Sequence, residues 1–127
     1  MVYKRPININ PLSIRLPVMA VVSILHRMSG ILVLLLIPFL LWVLQRTLVS
    51  PEGLNQVRDA VSSPGCKAVL WVLLASLIFH WIAGFRHLLM DMHFGDSLRA
   101  GRIGAYLVII VALGLSIVTA CWLWGVR

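Results

Sequence analysis

Three long stretches without a formal charge limit what this chain can become. They run Met28–Gln45, Ala68–Phe85 and Ile103–Val126. Each falls within the roughly 17 to 25 residues that cross a hydrocarbon core at about 1.5 Å of helical rise per residue. Inside lipid the backbone N–H and C=O groups must pair within the chain, which a helix does by itself. The expected fold is therefore an all-α membrane protein with three transmembrane helices, at about 20–47, 67–91 and 103–126. A polar arm, 1–15, precedes them in a single membrane-anchor domain, 1–127. A soluble bundle is excluded by composition: only 12% of the 127 residues are charged and 61% are hydrophobic. Soluble helices also need a polar outer face, and "GILVLLLIPFLLWVL" has none.

The formal net charge is +7. Nucleic-acid binding would need the basic residues gathered on soluble structure; here they flank the spans, so no nucleic-acid partner is expected. Lys4, Arg5, Arg15, Arg27, Arg86, Arg99 and Arg102 fall on one side; Arg46, Arg58, Lys67 and Arg127 fall on the other. Positive flanks stay in the cytoplasm, which predicts a multi-pass protein with its N-terminus inside and its C-terminus outside. The first apolar run is too long for the h-region of a cleavable signal peptide. Cys66 and Cys121 form no C-x-x-C or C-x-x-C-H pattern, so neither a dithiol redox site nor covalently attached haem is implied.

Punctuation along the chain is sparse. Pro6 and Pro11 keep the arm from being one helix, whereas Pro17 suits the opening of the next. Pro38 lies within the first span, where a mild kink is expected. In "SPEGLNQVRDAVSSPG", Ser50 with Gly53 reads as the cap of a short surface helix. The connection "MHFGDSLRAGR" is short and turn-rich, and Trp122 and Trp124 suit an interfacial belt.

Polar groups inside the spans carry the chemistry. "FHWIAGFRHLLMDM" places His80 past mid-span, where an ionisable group needs a partner and signals function. At about 100° per residue, His80, Gly84, His87 and Asp91 share one helical stripe, with His80 and His87 about 10.5 Å apart along the axis. Gly84 leaves room between them for something flat against the backbone. A macrocycle whose iron is held by His80 fits this pattern, since imidazole is a common haem ligand; so does a histidine merely hydrogen-bonded to a neighbouring helix. Arg86 either snorkels to the interface or belongs to the site. Asp91 reads as a helix-end charge.

"SILHRMSG" forms the second constellation. Ser23 and Arg27 share a face one turn apart, with His26 flanking it. An arginine at membrane depth needs an acidic or carbonyl partner, such as a haem propionate or a quinone carbonyl. Arg27 alone would be only an orientation anchor. His26, His87 and His93 read as lying toward the cytoplasmic ends, leaving His80 as the single deep histidine. A six-coordinate haem inside the membrane would then take its second histidine from another chain.

Together, "SILHRMSG", "HWIAGFRHLLMD" and the arm "RPININ" resemble the cytochrome b subunits of succinate dehydrogenase, over essentially the whole chain. The resemblance implies half of a haem-containing membrane-anchor bundle. It implies haem b shared between subunits, with His80 the axial iron ligand from this chain and the other histidine supplied by a second hydrophobic anchor subunit. It implies that Ser23 and Arg27 line the site of the substrate quinone, with Arg27, His26 and His87 near the haem propionates or the quinone. An iron–sulfur subunit and a flavoprotein subunit would complete the succinate:quinone oxidoreductase, surrounded by membrane lipid. No catalytic residue of the dehydrogenase half is expected here. The chain departs from the pattern after Asp91, where Met92 and His93 intervene before Gly95. The alternative is a proton- or ion-relay subunit of a small transporter using His80 and His87; no inverted repeat supports it.

Overall fold

The computed structural model of the chain describes residues 16–95 and 97–125. It contains four helices and, among the described residues, no strand. They are α1 Val18–Val49, α2 Pro51–Ser62, α3 Pro64–Asp91 and α4 Leu98–Gly125. α1, α3 and α4 are each long and apolar enough to cross a membrane. The arm 1–15, with Pro6, Pro11 and "RPININ", lies outside the described residues.

Local chemistry sets the ends. Pro17 is the N-cap of α1, its carbonyl accepting from Ala20 N at 2.9 Å and Val21 N at 3.2 Å. The helix continues through Pro38, which withholds the N–H that the Leu34 carbonyl would otherwise receive. Ser50 caps α2 as the sequence predicts, its hydroxyl oxygen accepting from Gly53 N at 3.0 Å, with Pro51 in the first turn. Ser63 repeats the arrangement on α3, accepting from Cys66 N at 3.3 Å ahead of Pro64. α4 starts earlier than the uncharged run, at Leu98, because Ser97 caps it through Ala100 N at 3.1 Å. Arg99 and Arg102 thus stand on its first turns rather than in a loop.

The departure after Asp91 has a structural meaning. α3 ends in a Schellman turn, in which His93 N donates to Met90 O at 2.9 Å and Phe94 N to Leu89 O at 3.0 Å. His93 occupies the left-handed position at φ 62°, where glycine is usual, and Gly95 follows at φ 81°.

α3 packs between α1 and α4, antiparallel to both. Val22 of α1, Ala83 of α3, and Ala105 and Val108 of α4 form the buried cluster at the end where α1 and α4 begin and α3 finishes. α4 turns its small residues inward: Gly101, Ala105, Ala112 and Ser116 are all buried. Between apolar helices in lipid, small side chains give close backbone approach and dispersion contact instead of hydrophobic expulsion. At the opposite end, the Trp71 indole N–H of α3 donates to Ser116 O of α4 at 2.9 Å. Most large apolar side chains face outward, among them Leu48 and Trp81, each 76% exposed.

Candidate functional site

Three of the polar residues singled out in the sequence, His26, His80 and His87, converge where α1 crosses α3. His80 turns its imidazole toward α1, and its described hydrogen bonds all run through Nδ1. That atom lies 3.2 Å from the His26 carbonyl oxygen and 3.2 Å from Ser29 Oγ. The Ser29 hydroxyl in turn donates to the same His26 carbonyl at 2.8 Å. The His26 ring stacks on His80 with centroids 4.4 Å apart and planes 22° from parallel. On its other side it meets His87 edge-on at 4.9 Å. The three imidazoles therefore form one continuous row, with His26 in the middle.

This arrangement changes one sequence expectation. His26 reaches deeper than expected: α1 begins at Val18 and carries its ring between the levels of His87 and His80. The His26 ring also lies against Gly84, where a Cβ would stand 3.3 Å from His26 Nε2. Gly30 serves the same purpose from α1, since a Cβ there would stand 3.1 Å from His80 Cε1. His26 is nevertheless unsuited to share a metal ion with His80. Stacked face to face, the two rings would not present nitrogens to one metal ion.

Ser23 is half-buried and Arg27 exposed, on the α1 turns leading to His26. Arg27 makes no ion pair with any described residue. Asp91 is the exposed last residue of α3, as a helix-end charge would be. Arg86 does not snorkel. It is 9% exposed and turns to α4, where Nη2 donates to Gly101 O at 3.0 Å. Its Nε is buried with no hydrogen-bond partner among the described residues. Gly104 makes the space, since a Cβ there would lie 3.2 Å from that nitrogen.

Deeper in the bundle, beyond Ser29, a cavity of about 440 Å³ opens between α1, α3 and α4, with Leu25, Met28, Phe79 and Ile109 on its walls. Its serine hydroxyls are spent on their own helices: Ser29 on His26 O, Ser76 on Val72 O and Ser116 on Ala112 O. It presents an apolar wall with no free donor from those residues. No group of three or more His, Cys, Asp or Glu among the described residues is placed to hold a metal ion.

Sequence reasoning gave Ser29 and Gly30 no role. The available signal was two adjacent small residues in an otherwise bulky helix, opposite the deep histidine of the next span.

Residues 1–119 match the family model for the succinate dehydrogenase/fumarate reductase transmembrane subunit. The succinate dehydrogenase cytochrome b556 subunit of Coxiella burnetii is 35% identical over 122 residues, covering 95% of this chain and 98% of that protein. The proteins of the same name from Rickettsia typhi and Rickettsia felis are 26% and 28% identical, each alignment covering 89% of this chain and 88% of the relative.

Proposed function

This chain belongs to the succinate dehydrogenase/fumarate reductase transmembrane subunit family, and from that premise we propose that it is the cytochrome b anchor of a succinate:quinone oxidoreductase, binding haem b jointly with a second anchor subunit and forming part of the quinone-reduction site. The whole chain acts as one membrane-anchor domain in an inner membrane, with the arm on the cytoplasmic side. There the iron–sulfur subunit docks, and the flavoprotein subunit delivers electrons through it.

One observation carries this reading: among the described residues the hydrogen bonds of His80 engage Nδ1 and leave Nε2 uncommitted. A metal-ligating histidine is held through its other ring nitrogen in this way. The donor set fits haem iron with one histidine from this chain. With the His26 ring stacked face to face on His80 rather than opposed to it, the second histidine would come from the partner anchor. Haem b, when bound, supplies a one-electron store whose potential depends on axial ligands, burial and nearby charge.

The remaining residues bind and orient. Ser23 and Arg27, one turn apart on α1, offer a hydroxyl donor and a fixed positive charge to a quinone carbonyl. Charge that develops on that oxygen during reduction is stabilised by donors already aimed at it. Arg27, His26 and His87 stand toward the cytoplasmic end, where carboxylate groups at a macrocycle's edge would meet cationic and N–H donors. Reduction to quinol also takes up two protons, which reach the carbonyl oxygens most easily from this wet end. A second reading, a proton-relay subunit of a transporter, draws on the contiguous row His87–His26–His80.

The test is a reduced-minus-oxidised absorption spectrum of membranes in which the chain is co-expressed with its complex, wild type against His80→Ala. A b-type band lost or altered in the variant supports the ligand assignment. A band identical in both, or absent from wild type, refutes it and leaves the relay reading standing.

A further inference from the structure

The motif "SILHRMSG" closes with a serine and a glycine to which the proposed function assigns nothing. We infer that Ser29 and Gly30 form a seat for the His80 ring, with Ser29 a positioning residue that holds the imidazole as its Nδ1–H tautomer and directs the Nε2 lone pair to the haem iron. The inference rests on the proposal that His80 is the axial ligand.

The tautomer follows from counting hydrogens. A carbonyl oxygen only accepts, so the 3.2 Å approach of His80 Nδ1 to His26 O requires a hydrogen on Nδ1. The single hydroxyl hydrogen of Ser29 is used on that same carbonyl, at the shorter distance of 2.8 Å. Toward Nδ1, 3.2 Å away, Ser29 Oγ therefore presents a lone pair. Nδ1–H is thus shared between two acceptors in a three-centre bond, each arm near the long end of the N–H···O range. A neutral imidazole protonated at Nδ1 carries its lone pair on Nε2, the form that binds a metal.

Sterics fix the plane. The His26 ring covers one face of His80 at a centroid distance of 4.4 Å. Gly30 closes the Cε1 edge so tightly that a Cβ would stand 3.1 Å from it. Turning the ring over would break both Nδ1 contacts at once. Ser29 itself is buried, 6% exposed.

The electronic consequence has a sign. An acceptor on Nδ1–H makes the imidazole a stronger donor through Nε2 and favours the ferric state. Removing one of two acceptors weakens that donation, so the haem potential rises. Ser29→Ala, Ser29→Thr and Gly30→Ala would be made in the assembled complex. Haem content, redox potentiometry and the low-spin electron paramagnetic resonance signal would be measured in membranes. Ser29→Ala is expected to keep its haem with a raised midpoint potential, the ferric-to-ferrous preference falling by up to about tenfold. Ser29→Thr retains the hydroxyl and keeps the wild-type potential. Gly30→Ala displaces the ring, shifting the g values or releasing the haem.

Two results overturn the inference: wild-type potential and g values in Ser29→Ala, or an equal rise in Ser29→Thr, which would make side-chain volume the cause. His80→Ala separates this failure from that of the parent reading. If His80→Ala loses the haem band while Ser29→Ala changes nothing, only the seat is wrong. If His80→Ala keeps the band, the ligand assignment falls and takes the seat with it.

Discussion

Arg86 shows how much a single residue depends on the helix opposite it. Its guanidinium is buried against α4, held by one hydrogen bond to Gly101 O, with Nε unpaired among the described residues. The Gly101 carbonyl, inside a regular helix, already has the Ala105 N–H as donor, so losing Arg86 orphans no acceptor. The charge is the costly part. A buried cation with few partners is often replaced by a well-packed apolar side chain at little or no loss. Arg86→Met is therefore expected to stay within about 1 kcal/mol of wild type. Arg86→Lys keeps the charge but loses the planar fork, and is expected to cost roughly 1.5–3 kcal/mol. Thermal unfolding of the purified complex, followed by Soret absorbance, compares the two. A stable Lys variant beside an unstable Met variant would show that charge is needed there, and that an anion outside the described residues meets it.

At the scale of elements, the spans were legible because lipid imposes a simple rule on charge. The uncharged runs mark the hydrocarbon core, while the helices extend past them into cap chemistry. The caps at Ser50 and the turn-rich connection near Gly95 were readable from residue type. The pairing of helix faces was not. The histidine stripe on α3 was visible at 100° per residue, but periodicity within one helix is silent about which ring of another helix lies on it. Hence the depth of His26, the inward turn of Arg86 and the seat at Ser29 and Gly30 emerged only with α1, α3 and α4 packed. The junction of α1 and α2 offers a test at this scale. Gly53 is buried where the start of α2 folds back on the end of α1, and a Cβ there would collide with the Arg46 carbonyl. Backbone cannot swing aside as a side chain can, so Gly53→Ala is expected to cost about 1–3 kcal/mol and to loosen α2 from α1. Faster limited proteolysis within 51–62 would register it; an unchanged cleavage rate would mean that the junction relaxes without cost.

For the whole molecule, the decisive property is which end faces which compartment. Ser23, Arg27, His26 and His87 gather at the end where α1 and α4 begin, and α2 lies at the other end. The proposed function needs the first end in the cytoplasm, because the iron–sulfur partner and the protons for quinol come from that side. Charge agrees among the described residues: Arg27, Arg86, Arg99 and Arg102 lie toward that end, against Arg46, Arg58 and Lys67 at the other. Gln56, exposed on α2, is then outside the cytoplasm. With Cys66 and Cys121 replaced by serine to remove the native thiols, Gln56→Cys is expected to react with a membrane-impermeant maleimide in intact spheroplasts and to be protected in inverted vesicles. Labelling confined to inverted vesicles would reverse the topology. It would leave the histidine row intact but put it at the face that the electron-delivering subunits cannot reach, and the succinate:quinone reading would then fail on geometry alone.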